Sequence, residues 1–329
     1  MPEAITVIPT FNAEHFLPAT LDCIAAQSRR PDRVIVIDNG STDSTESLIR
    51  NHPSLRIEWF RNPTNIGVLG NLNRCLSFAD QTDFLHLLMA DDLVRPAFFE
   101  RSLAALRDVP GQALSYVLDD KINQYGRVVL PAVVPPGGRV RAVPPSEFLR
   151  RQAALDTVLL PGVLFKTDRR PIPTQFGNFP QVADTVFLGE CSHLGMTIVE
   201  VPEALCEYRL SNLNASSRHR THLETFVRDE WRAMTTIAAW IPEPAWRRPF
   251  TRALLRIRFA ARTEVKRQLF AAANPEYARE VDTVRREIGG LLLGTAGVAA
   301  VRARDLIRRL QGQPTRLQEF ERLQDAGKP

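Results

Sequence analysis

Short apolar runs alternate with amphipathic segments through the first hundred residues, and this alternation restricts the chain to few folds. The runs expected to form strands are Ile5–Pro9, Arg33–Ile37, Arg56–Phe60 and Phe84–Leu88. The segments with helical spacing are His15–Gln27, Asp43–Arg50 (with Asp43 and Glu46 at capping-box spacing), Gly67–Ala79 and a helix from Pro96. The pattern predicts an α/β fold with a doubly wound, mostly parallel sheet and right-handed crossovers.

The regular alternation ends near residue 110. Later segments are expected to form strands at Ala113–Leu118 and Thr197–Val201, an extended stretch at Thr157–Phe165, and helices at Ser146–Arg151 and Val182–Leu194. The segment Val128–Pro145 is rich in Pro and Gly, which predicts a long loop. From about residue 221 the chain is helical and basic. We therefore predict a first domain of residues 1–217 and a helical C-terminal region of residues 218–329.

The two regions differ in charge. Residues 1–217 hold 20 Lys and Arg against 24 Asp and Glu, whereas residues 218–329 hold 22 against 13, which predicts different partners. The chain has no leader and no uncharged apolar stretch of about 18 residues, so we expect neither secretion nor a membrane span. The four cysteines lack metal-ligand spacing, which favours reduced thiols in a cytoplasmic protein.

Two adjacent carboxylates, Asp91 and Asp92, follow the predicted strand Phe84–Leu88 at its carboxyl end. This edge is where open α/β sheets bind ligands. Neighbouring acids repel each other unless a cation or proton lies between them, and hard oxygen ligands suit Mg²⁺ or Mn²⁺. The pair therefore indicates a metal site for an anionic substrate such as a diphosphate. The same residues would also suit a helix N-cap with a solvated charge.

Polar segments accompany the other predicted elements. They are Pro9-Thr10-Phe11-Asn12 after the first strand, Asp38-Asn39-Gly40-Ser41 after the second, Asn65-Ile66-Gly67 with Asn71 and Asn73 around the third helix, and, later, Ala183–Leu188 and Pro202–Arg209. Their hydroxyl, aromatic, amide and carboxylate groups can bind a nucleobase and a ribose. Ordinary turns and helix caps use the same residue types, so no single segment is decisive.

In their order and spacing, these segments resemble the inverting family 2 glycosyltransferases of the GT-A fold over roughly residues 3–217. The resemblance implies a metal-dependent hexosyl- or deoxyhexosyltransferase with a UDP-, dTDP- or GDP-linked sugar donor. The acceptor would be a hydroxyl of a glycan or lipid-linked molecule, as in bacterial cell-surface polysaccharide assembly. The chain would then work in the cytoplasm or at the inner face of the membrane.

The same resemblance assigns roles to single residues. Nucleotide binding falls to Thr10, Phe11, Asn12, Asp38, Asn39, Asn65, Gly67 and Asn71. A Mn²⁺ or Mg²⁺ ion would be held by Asp91 with help from Asp92, and would neutralise charge on the departing nucleoside diphosphate. Asp184 would be the base that deprotonates the acceptor hydroxyl. The alternative for Asp184 is a plain cap of the helix that follows it.

Four positions depart from the family pattern. Met89 stands where an acid is common, Asn39 replaces the usual second Asp, Ala183 a frequent Glu and Ser211 a frequent His. These departures leave open a catalytically silent nucleotide-sugar-binding or scaffold protein. A nucleotidyltransferase would share the sheet and the acidic site, but the first strand is not followed by the Gly-rich, Lys- or Arg-bearing loop that would hold a triphosphate.

The C-terminal region contains a basic amphipathic helix at 246–269. Its apolar positions are Trp246, Phe250, Leu254, Ile257, Ala261, Val265 and Leu269, and its basic positions are Arg248, Arg252, Arg256, Arg262 and Lys266. Such a helix suits an anionic membrane surface. Packing of the apolar stripe on the first domain, or on another subunit of a homo-oligomer, remains open. Nucleic acid is not an expected partner, because few aromatics interleave with the charges.

Overall fold

A computed structural model describes residues 3–210, 223–270 and 275–310. The chain divides into two compact units. The first contains residues 3–148, 157–178 and 183–210, and the second contains 149–156, 179–182 and the described residues after 210. The predicted boundary between residues 217 and 218 lies outside the described residues and stays a prediction.

The first unit is built on one large sheet. Its strands are β1 (Ala4–Thr10), β2 (Arg33–Asp38), β3 (Ile57–Arg61), β4 (Phe84–Leu87), β5 (Leu93–Val94), β6 (Ala113–Asn123), β7 (Val128–Leu130), β8 (Arg141–Val143), β9 (Val163–Lys166) and β10 (Thr197–Leu210). The order is β3-β2-β1-β4-β9-β6-β10-β5, with β7 on β6 and β8 on β10. Strands β3, β2, β1 and β4 are parallel, β9 is antiparallel to both neighbours, and β6 runs parallel to β10.

Alternation along the strands produces a core on each face of the sheet. In β1, Ile5 and Val7 belong to one buried cluster, whereas Ala4 and Ile8 belong to the other. The helices of this part of the chain are α1 (Leu17–Ala25), α2 (Thr45–Arg50), α3 (Gly67–Leu76), α4 (Phe98–Leu106), α5 (Pro145–Ala153) and α6 (Ala183–His193). The predicted α/β class with helices on both faces is confirmed.

Several local predictions were wrong. Strand β10 continues past Val201 to Leu210 because it stays paired with β6 through irregular registers around 201–206. The predicted long loop contains β7 and β8, each paired to a neighbouring strand. The capping box does not form at α2, because Glu46 bonds Arg50 and Arg61 instead. Helix α4 starts at Phe98, after Pro96.

The second unit is helical, with α7 (Leu223–Trp240), α8 (Arg248–Phe270), α9 (Pro275–Gly289) and α10 (Leu291–Leu310). Its apolar core includes Met234, Ile237 and Phe259, all fully buried. Buried carboxylates are paired: Glu230 lies 3.0 Å from both Arg262 and Lys266. Among the described helices, none is both long enough and apolar enough to cross a bilayer.

The predicted apolar stripe of the basic helix is not its most buried face, and only its first part is exposed. Trp246 precedes α8 in a short 3₁₀ turn (Ala245–Arg247) and is exposed, as are Phe250 and Leu254. The buried positions of α8 are Leu255, Phe259, Ala260, Thr263 and Glu264. This face packs because the polar groups on it have partners: Glu264 bonds Arg267 and Arg285 at 2.9 and 2.8 Å.

Candidate active site

The carboxyl ends of β1, β2 and β4 lie side by side. Thr10 is the register partner of Asp38, and Asn39 N donates to Thr10 O at 2.8 Å. Just beyond β4, Leu88 N donates to Val7 O at 3.1 Å. The polar loops after these strands are therefore brought to one edge of the sheet, as parallel pairing requires.

The loop after β1 combines a buried hydroxyl, an exposed ring and a constrained amide. Thr10 is buried, whereas the Phe11 side chain is 40% exposed and available for stacking. Asn12 adopts a positive φ of 47°. Its Oδ1 accepts from Thr42 N at 2.9 Å, and its own N donates to Ser41 Oγ at 2.9 Å, which ties this loop to the one after β2.

Asp38 is fully buried at the end of β2. Its Oδ1 accepts from both the backbone N and the hydroxyl of Ser41. Its Oδ2 is buried and has no hydrogen-bond partner among the described residues, and the nearest cation, Arg61, stands 3.9 Å away. A buried acceptor without a donor costs free energy of folding, so Asp38 Oδ2 is available to accept a hydrogen bond from an N–H or O–H group.

Asn39 uses both ends of its amide inside the protein. Its Oδ1 accepts from Asn62 Nδ2 at 2.8 Å and from Ile66 N at 3.0 Å. Its Nδ2 donates to Asn65 Oδ1 at 2.8 Å and to Gly67 O at 3.3 Å. Asn39 therefore holds the loop before α3 against the end of β2.

Asn65, Gly67 and Asn71 complete this network. Asn65 Oδ1 also accepts from Gly67 N at 2.8 Å, and Gly67 has a φ of +79°, which favours glycine. Asn71 is buried, accepts from Asn62 Nδ2 at 3.0 Å and donates to Ile37 O at 3.0 Å. The sequence predicted that these residues lie at this edge of the sheet. It did not predict that their amide side chains hydrogen-bond to one another.

We expect Asn39→Asp to destabilise the protein, although it restores the acid common in the resembling family. The new oxygen would face two acceptors, Asn65 Oδ1 and Gly67 O, with no donor between them. Unpaired buried acceptors predict a loss of about 2–4 kcal/mol in the free energy of unfolding, measurable by urea titration. The control is Gln175→Glu at an exposed side chain with no described hydrogen bond, expected to change stability by about 0.5 kcal/mol or less. Equal stability of the Asn39→Asp and parent proteins would contradict the network.

The acidic pair follows β4 in a loop that other residues hold in place. The Thr20 hydroxyl contacts Ala90 O and Asp92 O at 3.0 and 3.1 Å. Asp92 is buried, and its Oδ1 accepts from Arg209 N at 2.7 Å. Asp91 is half-buried, and no other described residue donates to its carboxylate. Asp92 is therefore anchored, whereas Asp91 is free to take a ligand.

Burial raises the pKa of both carboxyls, and in Asp92 the neighbouring Asp91 raises it further. The pair thus resists carrying two negative charges unless a cation is present. Among the described residues no group of three or more His, Cys, Asp or Glu is arranged to hold a metal. Mg²⁺-type ions are commonly bound through one or two carboxylates plus waters and substrate phosphates, so the donor set present here fits such an ion.

Arg209 organises the acidic loop. Its Nε donates to Asp91 O at 2.7 Å, and a terminal nitrogen donates to Asn123 O at 3.1 Å. Its guanidinium lies 4.8 Å from the centre of the Phe16 ring, and burial lowers its pKa. The sequence placed Arg209 in a closing strand without a role. This function was missed because its partners lie far away along the chain.

Asp184 lies in the first turn of α6. Its Oδ1 accepts from Thr185 N at 2.8 Å, and the Thr185 hydroxyl contacts that of Thr157 at 3.1 Å. Burial raises the pKa of Asp184, although the Thr185 bonds and the charge of Lys121 oppose the rise. Asp184 is thus a residue of the helix itself and not the N-cap residue before it, and its carboxylate is shielded from water.

Lys121 on β6 connects the two acidic groups. Its Nζ lies 2.7 Å from Asp119 Oδ2 and 4.6 Å from the centre of the Tyr208 ring. Its charge lowers the pKa of both Asp92 and Asp184, so both lie within electrostatic reach of one amine. Sequence patterns did not single out Lys121, because a lysine within a strand is usually solvated surface.

The fold is that of the GT-A glycosyltransferases. The structure of TarS residues 1–349 from S. aureus in complex with UDP-GlcNAc is similar with a TM-score of 0.62 at 16% identity, covering 98% of this chain and 91% of that one. A mannosyltransferase, PcManGT of Pyrobaculum calidifontis, in complex with GDP-Man and Mn²⁺, has a TM-score of 0.55 at 18% identity, covering 98% and 86%. At these identities the likeness concerns the fold alone.

Residues 6–130 match the model of the family described as glycosyl transferase family 2. The chain is similar to the glycosyltransferase EpsE of Bacillus subtilis, at 29% identity over 149 residues, or 44% of this chain. The match spans about half of that relative, 53% of its length. The resemblance to family 2 glycosyltransferases that the order of the motifs predicted is therefore confirmed over residues 6–130.

Proposed function

We propose that the protein is an inverting glycosyltransferase. It transfers a sugar from a nucleoside diphosphate donor to a hydroxyl of a glycan or lipid-linked acceptor, as in bacterial cell-surface polysaccharide assembly. The observation that carries the proposal is the free, desolvated carboxylate of Asp91 beside the anchored Asp92, at the sheet edge that also holds Asp38. Complexes of structurally similar proteins with UDP-GlcNAc and with GDP-Man support the donor class.

The donor nucleotide binds across the ends of β1 and β2. Phe11 stacks on the base, and Asp38 Oδ2 accepts a base N–H, which favours uracil, thymine or guanine over bases that lack an imide or amide N–H. Thr10 and Asn12 border the same pocket. Asn39, Asn65, Gly67 and Asn71 shape the adjoining loop through their mutual hydrogen bonds.

Asp91 and Asp92 would hold a divalent ion, Mn²⁺ or Mg²⁺, at the diphosphate end of the donor. When bound, that ion supplies positive charge against the departing nucleoside diphosphate. The protein's own contribution is positional: Arg209 fixes the backbone of Asp91 and the carboxylate of Asp92. The backbone that carries the Asp91 carboxylate is thus already in position when the donor arrives.

Asp184 is the general base. Because burial raises its pKa, Asp184 is a stronger proton acceptor than an ordinary aspartate. It takes the proton from the acceptor hydroxyl as that oxygen attacks the anomeric carbon opposite the leaving diphosphate, and the configuration inverts. Lys121 helps to keep the carboxylate ionised.

A thermal-shift panel of UDP-, dTDP- and GDP-sugars, with and without Mn²⁺, tests donor binding. One donor at about a hundredfold excess over its Kd should stabilise the protein by about 2.7 kcal/mol, and only with the metal. Absence of a shift for every donor would refute the proposal. A metal-dependent shift without sugar transfer to any glycan or lipid-linked acceptor would instead indicate the silent binding protein.

The site of action proposed here is the cytoplasmic face of the membrane, where a lipid-linked acceptor would be presented. The support is the basic, exposed start of α8 rather than any membrane-spanning segment. An acceptor presented on vesicles should therefore be used faster than the same glycan in solution.

A further inference from the structure

Helix α8 has two apolar faces of different character. Leu255, Phe259 and Ala260 are buried and belong to the core of the second unit. Phe250 and Leu254 lie on the opposite side of the helix, one turn apart. Trp246 lies four residues before Phe250. Packing within the second unit explains the buried face of α8, but it does not explain the three apolar side chains on the other face.

These three side chains are strongly exposed. Trp246 is 64% exposed, Phe250 70% and Leu254 52%. Farther along the same side, Ile257 and Ala261 are half-buried, and Gly297 of α10 packs on their backbone. The exposed patch is therefore confined to the start of the helix, and we define it as Trp246, Phe250 and Leu254.

Unpaired positive charge accompanies this patch: Arg247 and Arg258 flank it, whereas Arg248, Arg252 and Arg256 lie on the other side of α8. Between Pro244 and Thr263 the chain has six arginines and no acidic residue. Five of them lie within described residues with no carboxylate of the described chain within 4.0 Å, namely Arg247, Arg248, Arg252, Arg256 and Arg258. The sixth, Arg262, is paired with Glu230. Arg247 lies 4.9 Å over the Trp246 ring, so cation and aromatic share one surface.

We propose that this patch docks the protein on a lipid bilayer with anionic headgroups. Phe250 and Leu254 enter the boundary between headgroups and acyl chains, and Trp246 lies at headgroup level, where indole is favoured. The arginines contact lipid phosphates. The occupant follows from charge complementarity, since an anionic surface offers partners to the two arginines that lie beside the apolar side chains, Arg247 and Arg258.

A second copy of the chain is a poorer occupant. Twofold pairing places the same patch against itself, so the arginines of both copies would face each other without counter-charge. Nucleic acid would accept the arginines but offers no apolar layer for Leu254. The bilayer is the partner that receives both kinds of side chain.

Co-sedimentation of the full chain with vesicles tests the proposal. Vesicles of phosphatidylcholine and phosphatidylglycerol in equal parts should bind the protein, and vesicles of phosphatidylcholine alone should bind it far more weakly. Phe250→Ser combined with Leu254→Ser should weaken binding at least about tenfold, since each inserted side chain contributes apolar transfer free energy. Arg247→Gln combined with Arg258→Gln, the two arginines beside the patch, should weaken it by about fivefold per arginine at low salt.

Matched controls lie on other helices. Leu306 and Ile307 of α10 are exposed to 57% and 53%, so Leu306→Ser with Ile307→Ser removes similar exposed apolar surface elsewhere. Arg279→Gln with Arg286→Gln removes two exposed charges from α9. Both controls should leave binding unchanged.

Three outcomes overturn the proposal. They are absence of binding to anionic vesicles at low salt, equal loss in the controls, and loss with the arginine variants but not with the apolar ones, which would indicate simple charge attraction. Donor-dependent thermal stabilisation of the same variants separates this test from that of the enzyme, because the patch lies in none of the donor-binding loops.

Discussion

Asp184→Asn should reduce sugar transfer by about a hundredfold to ten-thousandfold, the usual contribution of a general base. Asparagine is nearly isosteric and keeps an oxygen to accept from Thr185 N, but it cannot take a proton. The variant should show the same Mn²⁺-dependent stabilisation by the donor as the parent. Initial rates and thermal shifts on one preparation measure both quantities.

The pH dependence of the rate offers a second check on this role. Because burial raises the pKa of Asp184, its ionised form is lost at a higher pH than for an ordinary aspartate, so the acidic limb should lie above pH about 4. A carboxyl whose pKa is raised by folding stabilises the protein below its unfolded pKa, and that contribution is lost as pH rises through the folded value. Asp184→Asn should therefore not lower the thermal stability at neutral pH. Glu190→Gln in the last turn of the same helix is the control, and unchanged transfer by Asp184→Asn would remove this residue from its role.

Asp91→Asn should abolish the metal-dependent part of donor stabilisation and reduce transfer at least about a hundredfold, since charge neutralisation at the leaving group is worth several kcal/mol. The protein without ligand should be no less stable, because the substitution removes repulsion between the half-buried Asp91 and the buried Asp92. Thermal shifts with donor, at increasing Mn²⁺, measure the effect.

Two further substitutions are to be compared with Asp91→Asn. Asp92→Asn keeps an oxygen for Arg209 N and should affect metal dependence less than Asp91→Asn does. Asp80→Asn, at an exposed position, should behave like the parent. Full metal-dependent stabilisation of the Asp91→Asn variant would show that the ion, if any, binds elsewhere.

The position of the acidic and polar loops was predictable because it depends on the order of elements. Parallel strands place their carboxyl ends at one edge, so Thr10, Asp38 and Asp91 could be assigned to the same region from sequence alone. What each side chain does there depends on its neighbours. Asp38 retains a free buried acceptor, whereas the amide of Asn39 is fully used, and no pattern in the sequence separates these two adjacent residues.

The role of Arg209 could not be predicted from the sequence, because its contacts are long-range. Arg209 meets Asp91 and Asp92 across more than a hundred residues of chain, because β10 extends beyond its apolar stretch and stays paired with β6. Composition alone ended the predicted strand at Val201, because Pro202, Glu203 and Glu207 do not suit a strand, whereas the family resemblance places Pro202–Arg209 in one.

The basic helix shows the limit of periodicity. Its spacing predicted which apolar residues lie in one stripe. The most buried face is a different one and includes Glu264, which can be buried because it forms ion pairs with Arg267 and Arg285. Helical periodicity shows which residues share a face. It does not show which face the neighbouring helices cover.

The most direct test is a crystal structure with Mn²⁺ and the nucleoside diphosphate identified by the donor panel, using anomalous scattering to locate manganese. We expect one manganese peak within about 2.2 Å of an Asp91 carboxylate oxygen. A nucleotide bound at the ends of β1 and β2 with no ion at Asp91, or a carboxylate turned away from the diphosphate, would contradict it.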